Sequence, residues 1–501
     1  MIVRSPIMKR LLLALSLLAS AQAAVKLPAI IGDHMLLQRD APVRIFGMAD
    51  PGEAVTVSYR GQTATTTANA LGRWEAWLAP LTPAAPAAMT INNLKIEDVL
   101  VGDVWVGSGQ SNMQWTVERT NNAPAEIAAA NFPQIRLFYV PRKPSAVPVE
   151  DVDAKWVVCT PETVKDFSAV LFYFGRQLHK DLKVPMGLIH SSWGGTPIAA
   201  WISGPSLHAN PVLAPFNTWW ATQITNHPAN TTRYEQNLKK WEAATTKGPK
   251  PGPPMGPGNP HEPTTLFNGM IAPIAKYSIK GALWYQGETE AGRSQGHIYG
   301  EALETLVTDW RRAFGQGNFP FFYVQLANFG NAAKNGHWMR VQEGQVKAAN
   351  LKKTGVAIIN DIGEATDIHP RNKQDVALRL SLLARHIAYG QTGFVYSSPL
   401  FRQATVENAS IRVWFDHAGT GLKTRDNGPV KGFTIAGADG KFVPATATIK
   451  GDTVLVSSPD VSNPTAVRYA WDYNPDANLV NSANLPASLF RSDDRDEVIF
   501  K

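Results

Sequence analysis

The sequence predicts an α/β protein: a three-layer α/β/α domain built on a parallel sheet, with a β-sandwich-like module on either side. Three observations predict it. From Val101 onward, short apolar strands alternate with stretches of helical periodicity, the pattern of a parallel sheet covered by helices. Residues 24–100 instead hold short alternating strands punctuated by glycine and proline. From about residue 401 that β texture returns. With about 100–200 residues to a domain, a chain of 501 residues is long enough for all three units.

In the first module, Val43 to Gly47, Ala54 to Tyr59 and Trp74 to Leu78 read as strands, with turns at Pro51-Gly52, Gly61 and Gly72. In the 101–400 domain, strands are expected at Val104 to Val106, Met186 to His190, Gly281 to Tyr285, Phe321 to Val324 and Val356 to Ile359. Leu303, Leu306, Val307, Trp310 and Phe314 recur at helical steps, as do Val376, Leu380, Leu383 and Ile387 before Gly390. Residues 206–263 interrupt the alternation as an insertion. It holds Trp219-Trp220, a charged helical stretch from Glu235 to Thr245, and a Gly/Pro run from Gly248 to Pro254 that neither a helix nor a central strand tolerates. In the last module, 401–501, Ile411 to Phe415, Phe433 to Ile435 and Thr453 to Val456 read as strands.

Residues 1–23 have the form of a secretory signal. Lys9-Arg10 is followed by an apolar stretch from Leu11 to Ala19 and by Ala21-Gln22-Ala23, a small-x-small cleavage pattern. The apolar stretch is about half of what a membrane-spanning helix needs, so export to the periplasm or beyond is expected rather than anchoring. The net charge of +7 is not gathered into a dense basic run, which argues against a nucleic-acid partner. The single cysteine, Cys159, rules out an intrachain disulfide and a Cys/His zinc cluster; it is expected as a packed strand residue. No metal-ligand spacing is seen, and no cofactor is expected.

Four polar segments each lie just beyond the C-terminal end of an expected strand, the edge where open α/β sheets bind ligands. They are Gly107 to Met113, Ser191 to Thr196, Trp284 to Glu288 and Asp361 to Pro370. The first puts Ser111 in a small-residue turn where a helix begins, the second brings two glycines whose backbone can approach a ligand, and the fourth contains Glu364, Asp367 and His369. A serine ester hydrolase needs a nucleophile, a base, an acid to orient the base, and oxyanion donors, and together these segments can supply them.

Gly109-Gln110-Ser111-Asn112-Met113, Gly194-Gly195-Thr196, Gln286-Gly287-Glu288 and Asp367-Ile368-His369-Pro370 together resemble the sialate O-acetylesterase branch of the SGNH hydrolases, from about Val101 to Gly390. The resemblance implies a flavodoxin-like sheet, Ser111 as nucleophile and His369 as base. It also implies oxyanion donors at the N–H groups of Ser111 and Gly195 and at the Gln286 side chain, where the wider superfamily uses an asparagine. That superfamily commonly places the acid three positions before the histidine. Here Thr366 stands there, and Asp367 is the nearest carboxylate. Asp367 is therefore the expected acid, with Glu288 next should the Asp367 side chain point away. Asn112, Trp193 and Glu288 are expected to support the site or the substrate.

The expected activity is removal of acetyl groups from sugar hydroxyls through an acetyl-enzyme. O-acetylated sialic acid is the substrate the family implies, and an acetylated hemicellulose such as xyloglucan or xylan is the alternative. Arg119, Arg293 and Arg340 are candidates to pair with a sialate carboxylate. Two other classes stay open: a carbohydrate-binding protein on a degenerate esterase frame, which the Ser/His/Gln set argues against, and a glycosidase using Glu288 and Glu364, which leaves the serine turn unexplained.

Overall fold

The computed structural model describes residues 25–246 and 248–494; the expected signal segment, 1–23, lies outside them. At its centre run seven strands: β1 (Leu94–Gly109), β2 (Phe132–Tyr139), β3 (Trp156–Cys159), β4 (Met186–Ser192), β5 (Gly281–Tyr285), β6 (Phe321–Val324) and β7 (Thr354–Ala357). Their spatial order is β7-β6-β5-β1-β4-β2-β3. All neighbours are parallel except β3, which is antiparallel to β2. The strands β4-β1-β5-β6-β7 follow the flavodoxin-like order 2-1-3-4-5, and β2 and β3 extend the sheet past β4. The order reverses around β1, which has β4 on one side and β5 on the other; open α/β sheets bind ligands at the C-terminal edge of such a point.

Seven of the helices are α1 (Ser111–Gln114), α2 (Ala169–Leu182), α3 (Ala214–Ala243), α4 (Glu288–Gly292), α5 (Tyr299–Phe314), α6 (His337–Lys347) and α7 (Lys373–Ile387). Both faces of the sheet are covered, so its strands are apolar throughout; all five residues of β5 are buried. Successive side chains serve opposite faces. Trp105, Leu283 and Phe322 share a core with Leu171 of α2 and Leu380 of α7. Val106, Trp284 and Tyr323 share one with Leu306 and Trp310 of α5 and Val341 of α6. Burial of each such side chain contributes about 1.5–3 kcal/mol, enough in sum to hold layers whose individual helices are only marginally stable.

The boundary expected between residues 100 and 101 falls inside β1. Its first half pairs antiparallel with Ala87–Ile91 of the N-terminal module, and its second half is the central strand of the parallel sheet. One continuous strand thus joins the two units without a linker. β2 escapes sequence reading because Pro133 and an exposed beginning blur its pattern. Cys159 ends β3 fully buried, and burial pushes its thiol up to about 12. The insertion contains α3, a 30-residue helix with Pro228 inside it and only Phe216 and Trp220 buried; the Gly/Pro run after it has no regular structure.

The C-terminal β module braces the C-terminal edge of the sheet. Tyr473 accepts from the Phe329 N–H at 2.7 Å through its carbonyl and from the Gly336 N–H at 2.8 Å through its hydroxyl. Asn360 donates to the Ala487 carbonyl at 2.9 Å, and Gly363 N–H donates to Asn328 Oδ1 at 3.1 Å. The loops after β6 and β7 are therefore tied to this module and to each other. No helix among the described residues is long and apolar enough to cross a membrane.

Candidate active site

Ser111 is the first residue of α1, directly after β1. The turn depends on Gly109, at φ +137: a Cβ there would lie 2.1 Å from the Tyr285 carbonyl oxygen. Only glycine lets β1 stay that close to β5 and still release the chain into α1. Gln110 N–H donates to that same carbonyl at 3.0 Å. The first N–H groups of a helix have no intrahelical partner, and Ser111 supplies one of them.

His369 comes from the loop between β7 and α7. Its Nε2 is 2.9 Å from Ser111 Oγ. Asp367 Oδ1 lies 3.7 Å from His369 Nδ1 and also accepts the His369 backbone N–H at 2.9 Å. The carboxylate beside Nδ1 favours the tautomer that carries its proton there, with Nε2 facing the serine hydroxyl. The ring stacks on Trp115 with centroids 4.7 Å apart and planes 15° apart. Burial, followed by the charge of Lys373, holds His369 below its ordinary value, while Asp367 opposes the shift. A neutral imidazole is what a general base requires.

The Gly194-Gly195 turn follows β4. Gly194 N–H donates to Gln114 Oε1 at 2.7 Å, and Trp193 N–H to the Gly109 carbonyl at 3.1 Å. A Cβ on Gly194 would stand 3.2 Å from Ser111 Cβ, so the turn abuts the serine. Gly195, at φ +77, is exposed with open space around its Cα. Trp193 is half-buried beside it, with the Arg142 guanidinium 5.9 Å from its ring centroid.

Gln286 is placed differently from the expectation. It is fully buried, and its amide nitrogen donates to the Thr196 carbonyl at 3.2 Å and to the Glu290 carboxylate. Tyr299 donates to its Oε1 at 2.9 Å. Its amide is thus held in the interior. The capturing group, Glu290, also accepts from Ile198 N–H at 2.7 Å, and burial pushes it up to about 7.

Glu288 does not reach the histidine in this arrangement. Its Oε1 accepts from Asn112 Nδ2 at 2.6 Å in a buried position, and burial raises its carboxyl. Asn112 Nδ2 also donates to the Ile368 carbonyl at 3.0 Å, and Lys373 Nζ donates to Asn112 Oδ1. Lys373 and Trp115 are the residues that sequence reading passed over. A lysine in the first turn of a helix opposes the helix dipole, and that was the available signal. Among the candidate arginines, Arg119 lies 5.4 Å from the Trp115 ring centroid, Arg340 pairs with Glu343 at 3.5 Å, and Arg293 covers Trp219 at 3.7 Å and contacts His261. His190 is buried against Ser192 Oγ at 2.6 Å, remote from base duty.

Residues 255–385 match the family model described as carbohydrate esterase, sialic acid-specific acetylesterase. The chain is 30% identical to the sialate O-acetylesterase of Mus musculus, covering 94% of this chain and 95% of that protein. It is 32% identical to the Homo sapiens sialate O-acetylesterase over 76% of this chain and 74% of that protein. A carbohydrate acetylesterase from Xanthomonas citri superposes with a TM-score of 0.81 at 38% identity, covering 94% of this chain and all of that one. Fold, site and relatives define a carboxylic-ester hydrolase. Within that class, the chain belongs to the sialate O-acetylesterase family.

Proposed function

We propose that this carbohydrate O-acetylesterase works through an acetyl-enzyme formed on Ser111. The observation that carries the reading is the 2.9 Å contact between Ser111 Oγ and His369 Nε2 at the switch point of the sheet. Ser111 Oγ attacks the acetyl carbonyl as His369 takes its proton. Asp367 steadies the imidazolium, and the Ser111 and Gly195 N–H groups receive the oxyanion. His369 returns the proton to the departing sugar oxygen, then activates water to release acetate.

The sugar in this reading is an O-acetylated sialic acid. Its support is the family, together with Arg119: no acidic side chain lies within ion-pair distance of that guanidinium among the described residues, and it stands over the Trp115 ring that flanks His369. A carboxylate-bearing sugar suits a cation at that place. Export, read from residues 1–23, would put the enzyme where such glycans are met. The test compares acetate release from O-acetylated sialic acid and from acetylated xyloglucan, for the wild type and for Ser111→Ala. Preference for the first, abolished in the variant, is the expected result. Preference for xyloglucan would move the reading to hemicellulose, and an unimpaired Ser111→Ala would end the mechanism.

A further inference from the structure

Beneath Ser111 and His369 lies a second, buried polar layer. Lys373 and Asn112 are 0% and 2% exposed, and Glu288 is 7% exposed. Lys373 is an unlikely occupant on elementary grounds. Its ammonium is stripped of solvent, and it sits at the first position of α7, where the helix N-terminus repels a cation. Burial pulls Lys373 down to about 7, opposed by the charges of Glu288, Asp367 and Glu364. Its Nζ stands 5.2 Å from the centroid of the Tyr285 ring, over the ring face. Replacing a buried charge pair by neutral side chains of similar shape is often neutral or stabilising, so stability alone does not call for a lysine here.

What the lysine does contribute is direction. An asparagine amide has an acceptor end and a donor end, and flipping it exchanges them. Around Asn112, the Lys373 ammonium only donates, whereas the ionised Glu288 carboxylate and the Ile368 carbonyl only accept. One orientation alone satisfies all three partners. In it, Asn112, the residue after the nucleophile, holds the carbonyl of Ile368, the residue before the base. The Ser111 turn and the His369 loop approach from different strands, and this is a side-chain bond joining them besides the one between serine and histidine themselves.

We propose that Lys373 is a positioning residue: with Glu288, it holds the Asn112 amide in the single orientation that ties the Ser111 turn to the His369 loop and so sets the distance between nucleophile and base. This rests on Ser111 and His369 being the catalytic pair. Glu288 serves from beneath, as the acceptor that completes the brace. Both amine and ammonium donate to Asn112 Oδ1, so the brace survives a change in the protonation of Lys373. A small misplacement of reacting atoms can cost about 10²-fold in rate, which is the scale expected here.

The experiment uses the full chain with Lys373→Met and the double variant Lys373→Met/Glu288→Gln, read by kcat and KM on an acetyl ester, by the labelling rate of Ser111 with a fluorophosphonate, and by Tm. Lys373→Met should lower kcat and labelling by about 10²-fold and leave KM within about threefold. It should also lower Tm, because Glu288 is left as a buried carboxylate without its partner. The double variant, which removes that uncompensated charge, should regain most of the lost Tm without regaining kcat. A purely structural lysine predicts instead that kcat recovers with Tm, and that result would overturn the proposal. So would kcat within threefold of the wild type in either variant. Should Lys373→Met fail to fold, the double variant decides alone. Ser111→Ala serves as the control: if it remains active, the catalytic reading itself has failed; if it is inert and unlabelled while the lysine variants behave as wild type, the brace alone has failed.

Discussion

Asp367 and Glu288 are both acidic residues close in sequence or space to the reacting pair, yet they occupy opposite surroundings. The Asp367 side chain is 38% exposed, 3.7 Å from His369 Nδ1, on the same loop as the histidine. Glu288 is buried behind the nucleophile, bonded to Asn112, with its carboxyl raised by burial. A partly solvated carboxylate can follow the imidazole as it becomes a cation. A desolvated one is held rigid, and its charge costs so much that it must be matched by a partner. The rim of the site is therefore built for changing charge, and the floor for fixed geometry.

That contrast can be broken most forcefully at the rim. Ser111→Ala and His369→Ala should each reduce kcat on an acetyl ester by on the order of 10⁴–10⁶-fold, with the double variant scarcely worse, because nucleophile and base act as a unit. Circular dichroism should show an unchanged fold, since both side chains lie partly open to solvent.

Next come the two acids. Asp367→Asn should lower kcat by about 10²-fold with little change in Tm, less than the ~10⁴ typical where a buried acid makes a close bond to the histidine. Glu288→Gln should lower kcat by only about tenfold but should depress Tm, because Lys373 loses its buried counter-charge. An inert Glu288→Gln beside a near-normal Asp367→Asn would exchange the two roles and leave the esterase standing.

Gln286→Ala tests the floor. The variant takes the amide donor away from the buried Glu290 carboxylate, so a loss of about 1–3 kcal/mol in unfolding free energy is expected. If instead Tm is unchanged and kcat alone falls by ~10²–10³-fold, the amide turns toward the oxyanion during the reaction.

The smallest effect is in the pH profile. His369 must be neutral to act, and its ionisation lies below the ordinary histidine value, so the acid limb of kcat/KM should fall below about pH 6.5. Asp367 raises that ionisation, so Asp367→Asn should move the limb to lower pH. Glu288→Gln should leave it nearly in place. A limb above pH 7 in the wild type would show the histidine to be stabilised as a cation, contrary to its surroundings here.

Much of this site was legible before any coordinates, because turns and strand ends write themselves locally. A glycine before the serine, two glycines after the next core strand and a histidine ahead of a helix each reflect a backbone requirement of a few residues, and all three sit at the sheet edge where that reading places them. The misplacement of Gln286 has an equally physical cause. Its direction is set by Glu290, Thr196 and Tyr299, and what an amide bonds to is settled by whichever partners the packing leaves unpaired. Strand β2 was missed because a proline and a polar start hide a segment that is buried only in its second half.

The sequence by itself determined the alternation of strands and helices, the β texture on either side, and the polar turns that meet at the sheet edge. These follow from periodicity and from backbone stereochemistry, which act over a few neighbours. Tertiary structure alone decided which carboxylate faces His369, where Gln286 spends its amide, and that a lysine 261 positions away from Asn112 would lie against it. Those choices depend on distance and desolvation between segments far apart in the chain, and charges become selective partners only once folding has removed the water between them.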